Sequence, residues 1–76
     1  MHTVFYLENH EHIALCDLLK AAGLAESGGA AKSAIAAGEV SRNGETETRK
    51  TAKIRADECI EFAGSSIEVR AGHDAG

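Results

Sequence analysis

The chain has 76 residues, 43% of them hydrophobic, with 8 Lys and Arg against 12 Asp and Glu and a formal net charge of −4. A chain of this size buries only about 60–65% of its unfolded surface, and its large apolar side chains are five Leu, five Ile, three Val and two Phe. That supply fills one small core, which excludes multidomain layouts and enzyme folds built around a deep cavity.

Thr3-Val4-Phe5-Tyr6-Leu7 is β-branched and aromatic, with Phe5 and Leu7 on one face at period two, and reads as a short strand. Asn9 is the expected cap of the next element. From about Glu11 to Ala22 the apolar positions Ile13, Cys16 and Leu19, with Leu15, Leu18 and Ala22, recur at helical spacing. Gly23 should end that helix, with Leu24 folding back onto Leu19 as in a Schellman stop. Ser27 reads as the N-cap of a second helix, whose side chains through Ala37 are nearly all small, and Gly38 ends it.

Beyond Gly38 the period becomes two. Glu39 to Arg42 leads into Asn43-Gly44, the strongest short hairpin signal, since both central residues of a type I′ turn need positive φ. Glu45 to Thr48 should return as a polar strand, and Lys53-Ile54-Arg55 is a third strand fragment. Ala56-Asp57-Glu58 is expected to turn the chain. Cys59 to Phe62 then alternates with Ile60 and Phe62 inward, Gly64-Ser65-Ser66 turns again, and Ile67 and Val69 share a face. Ala71 to Gly76 has nothing to bury and should fray. The sum is a single domain over residues 1–76, with its core from about 4 to 70. It is an α+β fold of two to three short helices packed on a small, mainly antiparallel, curled sheet.

The net acidity hides an asymmetry. Between Ser27 and Arg55 lie Lys32, Arg42, Arg49, Lys50, Lys53 and Arg55 against Glu39, Glu45 and Glu47, a surplus of +3, while the remainder sets two cations against nine acids. A local positive field on an anionic body is what an anionic partner feels. At the start of the second helix, Gly28 and Gly29 fall where backbone N–H groups lack intrahelical partners. Either they leave those amides open to a phosphate, with Lys32 a turn later reaching the same anion, or they permit close helix packing.

Lined up in order, Leu15 to Lys20, Gly23, Ser27-Gly28-Gly29-Ala30-Ala31-Lys32, Ile35, Gly38-Glu39-Val40, Asn43-Gly44-Glu45 and Glu47-Thr48-Arg49-Lys50 resemble the alpha-L RNA-binding motif. This is the domain named for ribosomal small-subunit protein four. Phe5-x-Leu7, the Ser-Gly-Gly and the Glu-Thr-Arg-Lys run are similar to its small stand-alone bacterial members, the YbcJ-like branch. The resemblance covers about residues 4 to 70. It implies packed helices followed by a small curled sheet, and a non-catalytic protein that binds structured RNA, with ribosomal and transfer RNA as candidate classes. It implies contacts from Ser27, Gly28, Gly29, Lys32, Arg42, Asn43, Arg49, Lys50, Lys53 and Arg55. Lys and Arg would meet phosphates, so backbone shape would be read more than sequence. The residues depart from the family pattern at Arg42, where an apolar residue is usual, and at Ala56-Asp57-Glu58, where a Gly-Asp turn is usual.

Other chemistries find little support. His12 and Cys16 stand four apart on an expected helix, but a closed zinc site wants four ligands and only Cys59 is an obvious addition. Asp57, Glu58 and Glu61 lie on or near an exposed turn, with no burial to perturb a carboxyl for acid–base work. The expectation is no metal, no cofactor and no enzymatic activity. The Ile13–Cys16 run is far short of the ~20 residues that span a bilayer, and no basic start with an apolar stretch marks a secretory signal. Two cysteines make no disulfide framework, and reduced thiols suit a cytoplasmic monomer. The alternative is a protein-interaction adaptor with an acidic helix face (Glu8, Glu11, Asp17, Glu26) and a basic hairpin.

Overall fold

Nine short elements follow one another in the computed structural model, which describes residues 1–73. They are β1 (His2–Tyr6), β2 (Ile13–Ala14), α1 (Leu15–Ala21), α2 (Gly28–Ala36), β3 (Val40–Arg42), β4 (Glu45–Thr46), β5 (Lys53–Ile54), β6 (Cys59–Phe62) and β7 (Ser65–Arg70). Five strands form one mixed sheet in the order β1-β7-β6-β3-β4, antiparallel except for the β1–β7 pair. β2 and β5 form a separate antiparallel pair, with Ile13 opposite Ile54 and Ala14 opposite Lys53.

The helix expected over 11–22 begins only at Leu15. Ile13 and Ala14 are drawn into the ladder with β5, and Ala14 keeps an extended ψ of 140°. Asn9 does not cap α1. Ala14 occupies the N-cap position without a side-chain bond, and carbonyls from a distant loop take the first amides: Leu15 N–H donates to Ala52 O at 2.9 Å and Cys16 N–H to Lys50 O at 3.1 Å. The segment 50–52 is thereby fastened to the start of α1.

Both helix stops follow the sequence. Leu24 N–H bonds Leu19 O and Gly23 N–H bonds Lys20 O, and the same pair of bonds recurs from Glu39 to Ala34 and from Gly38 to Ile35. These are two Schellman motifs, each turning on a glycine at φ +78°. At the start of α2, Ser27 Oγ accepts from Ala30 N–H at 3.1 Å, the expected cap. The Asn43-Gly44 turn has φ of 52° and 86° and joins Arg42 to its partner Glu45, as a type I′ hairpin requires. β4 stops at Thr46, two residues short of the expected strand. The next hairpin turns at Ala63-Gly64 rather than 64–66, since Phe62 already pairs Ser65.

The core is one cluster. Leu15, Leu18 and Leu19 of α1 and Ala31 and Ile35 of α2 meet Val40, Ile54, Ile60, Ile67 and Val69 from the strands, and all are fully buried. Strand pairing runs further than expected at the C-terminal end. Glu8 N–H donates to Gly72 O at 2.8 Å, so Gly72 is paired where fraying was expected. The rest of that expectation, at 74–76, lies outside the described residues.

Candidate nucleic-acid interface

The basic residues sort into two groups according to what holds them. Arg42, at the end of β3, is half-buried and bonded through all three guanidinium nitrogens: Nε donates to Glu58 Oε1 at 2.7 Å and Nη2 to Glu58 Oε2 at 3.0 Å, a bidentate fork. Its Nη1 reaches Glu47 Oε1 at 3.2 Å and its Nη2 reaches the carbonyl of Lys53 at 3.0 Å. Asn43 joins the same knot, donating to Glu58 Oε1 at 3.3 Å and accepting from Cys59 N–H at 2.9 Å. The Arg55 backbone N–H adds a 2.6 Å bond to Glu58 Oε2. One arginine thus ties β3 to the loop after β4, to β5 and to the turn before β6.

This accounts for the departure at position 42. An arginine takes the place of an apolar residue because Glu58 and Glu47 are there to receive it. Burial pushes the Glu58 carboxyl up, but the Arg42 fork, the Arg55 N–H and the Asn43 amide outweigh it and hold it below its ordinary value. Glu47 is lowered further, to about 2, chiefly by Arg49, against burial and with help from the Arg49 backbone N–H and from Arg42. Arg49 Nε and Nη2 donate to Glu47 at 3.1 and 3.2 Å while most of the Arg49 side chain stays in solvent.

Lys32, Lys50, Lys53 and Arg55 form the second group. Their side chains are exposed and have no ion-pair or hydrogen-bond partner among the described residues. Arg42, Arg49, Lys53 and Arg55, with Thr51 and Ala52, line one shallow groove of about 370 Å³. Lys50 stands between two of its lining residues. The carbonyls at 50 and 52 accept from the first amides of α1, so the backbone of this cationic strip is tied to that helix. Ser27, Gly28, Gly29 and Lys32 are not brought to the groove. At Gly28 an added Cβ would meet nothing within 4 Å, and at Gly29 only Ser27 Oγ at 3.9 Å. Close helix packing is therefore not why these glycines are there.

The anchoring carboxylates Glu47 and Glu58 escape a reading that looks only for cations. The signal available for them was Arg42 itself, since a charged residue at an apolar strand position needs partners. The two thiols stay apart from any ligand set. Cys16 is buried in the core, Cys59 is half-buried, and no three His, Cys, Asp or Glu side chains converge as metal ligands among the described residues.

Comparison with known proteins follows the same outline. The chain is 52% identical over 65 residues to YbcJ of Escherichia coli K12, covering 86% of this chain and 93% of that protein, and equally to YbcJ of Shigella flexneri. The solution structure of Escherichia coli YbcJ, described as revealing an alpha-L motif involved in RNA binding, superposes with a TM-score of 0.71 at 51% identity. That match covers 90% of this chain and 86% of the other. The S4 domain profile matches residues 5–70; with nearly the whole chain accounted for, this protein belongs to the S4 domain family.

Proposed function

We propose that this protein is a non-catalytic binder of structured RNA, and that it grips phosphates through the cationic strip from Arg49 to Arg55. The observation that carries this reading is the separation of the basic residues into a spent group and a free one. Arg42 has all three guanidinium nitrogens engaged within the protein, through four hydrogen bonds. It shapes the groove rather than meeting RNA. Arg49 is shared, held by Glu47 yet mostly in solvent. Lys50, Lys53 and Arg55 remain free to exchange water for phosphate. The relationship to YbcJ and the S4 domain supports RNA as the anion.

A surface of this kind suits a ribose-phosphate ridge more than a base sequence, because charged side chains at the mouth of a shallow groove report backbone geometry. Lys32, about one turn beyond Gly28 and Gly29 at the start of α2, supplies a second point of contact for a ligand longer than the groove. We place the protein in the cytoplasm as a monomer on ribosomal or transfer RNA.

The test is the salt dependence of binding to an RNA hairpin, read by fluorescence anisotropy. With three or four phosphates neutralised, log Kd should change with log salt at a slope of magnitude about 3 to 4. Affinity that ignores salt between roughly 50 and 200 mM would replace this reading with the protein-adaptor alternative.

A further inference from the structure

A second groove differs in chemistry from the basic one. It measures about 600 Å³, within the ~300–1,000 Å³ usual for small-ligand sites, and runs between β1 and the start of α1. Half-buried Phe5 contributes aromatic surface, Ile13 of β2 forms part of one wall, His10 and His12 add imidazoles, and Glu8 and Asp17 supply carboxylates. No Lys or Arg lines it. With two carboxylates and no Lys or Arg, this groove is a poorer phosphate site than the basic one.

The two grooves are neighbours. Ile13 and Ala14 line the first, Lys53 lines the second, and Ala14 pairs Lys53 across the β2–β5 ladder. Adjacent strands lie about 4.8 Å apart, a separation that a nucleotide or two can bridge. An RNA held by its phosphates at Lys53 and Arg55 can thus present an unpaired base to the aromatic side.

The polar chemistry of the groove selects among bases. An ionised carboxylate only accepts hydrogen bonds. Guanine alone offers two adjacent donors, N1–H and the 2-amino group, on its Watson–Crick edge; adenine, cytosine and uracil each set an acceptor beside their donor. Asp17 sits on the first turn of α1, exposed, with only a 4.0 Å approach from Cys16 Sγ to occupy it. We propose that the groove beside β1 receives an unpaired guanine of the bound RNA, its base packed against Phe5 and Ile13 and its donor edge read by Asp17. This rests on the RNA-binding reading above and adds base recognition to it.

The test uses the whole chain, 15N-labelled, titrated with GMP, IMP and CMP and followed by amide shifts. GMP should move the amides of Tyr6, His12, Ile13 and Asp17. IMP, which lacks the 2-amino group, should bind at least about fivefold more weakly, as loss of a hydrogen bond to a charged acceptor implies, and CMP should move these amides little. Asp17→Asn, at an exposed position, should bring GMP down to the level of IMP without altering the fold. Shifts confined to residues 49–55 would overturn the proposal, leaving phosphate docking alone. So would equal titration by all three nucleotides, an unchanged response in Asp17→Asn, or no response to GMP. Failure of the underlying RNA reading looks different: affinity for an RNA hairpin would be indifferent to Lys50→Ala and Lys53→Ala, whatever the nucleotides do.

Discussion

Removing Glu58 should cost this small protein a large share of its stability. Glu58→Ala deletes the acceptor of the 2.7 and 3.0 Å bonds from Arg42, the 2.6 Å bond from the Arg55 backbone and the 3.3 Å bond from Asn43. It leaves a guanidinium whose side chain is only 21% exposed with Glu47 as its one remaining carboxylate. Breaking a fully buried ion pair costs about 3–5 kcal/mol. With both partners in partial contact with water, about 2–3 kcal/mol is the reasonable figure, set against a total of roughly 4–11 kcal/mol for a chain of this length. In urea, where small domains lose about 1 kcal/mol per molar denaturant, the midpoint should fall by about 2–3 M. The melting temperature should fall by roughly 8–20 °C. The double variant Arg42→Met with Glu58→Leu should be less destabilised than Glu58→Ala, because no charge is left stranded. A Glu58→Ala loss under about 0.5 kcal/mol, the range of ordinary surface changes, would refute the view that this knot holds β3, β5 and β6 together.

Lys50→Ala with Lys53→Ala should weaken hairpin RNA binding severalfold and flatten its salt slope by about 2, while thermal unfolding stays within about 0.5 kcal/mol. Glu47 also makes stability depend on acid. Its folded pKa of about 2 lies below the ordinary 4.5, so its stabilisation is complete above about pH 4.5 and is lost as pH falls toward 2. After screening at the exposed Arg49 that amounts to about 1–2 kcal/mol. Urea titrations between pH 6 and 2.5 should show the decline for the wild type and a shallower one for Glu47→Gln. Ser27→Ala removes the cap on Ala30 N–H and should cost about 1 kcal/mol by thermal melting. Gly29→Ala meets only open space beyond Ser27 Oγ and should stabilise by about 0.4–1 kcal/mol; a simultaneous fall in hairpin RNA affinity would place phosphate at those amides.

Local signals carried much of the architecture. The Ser27 cap, the stops at Gly23 and Gly38, and the Asn43-Gly44 turn each depend on a handful of consecutive residues whose backbone preferences act without help from the rest of the chain. Period-two patterning likewise placed β6 and β7. The start of α1 escapes local signals for the opposite reason. The apolar periodicity through Ile13 is real, yet a partner strand forty residues away claims Ile13 and Ala14 and supplies the carbonyls that begin the helix.

The candidate interface divides along the same line. Sequence alone determined that cations are concentrated between residues 32 and 55, because charge is additive along a chain. Which of them are free was decided only by folding, since Glu58 reaches Arg42 across sixteen residues of sequence and Glu47 reaches both Arg42 and Arg49. The parallel pairing of the first strand with the last, the two-stranded ladder beneath the basic strip and the groove beside β1 belong to the tertiary structure as well. Each joins residues far apart in sequence, and no local preference records which distant segment will bury the same apolar face or satisfy the same amide.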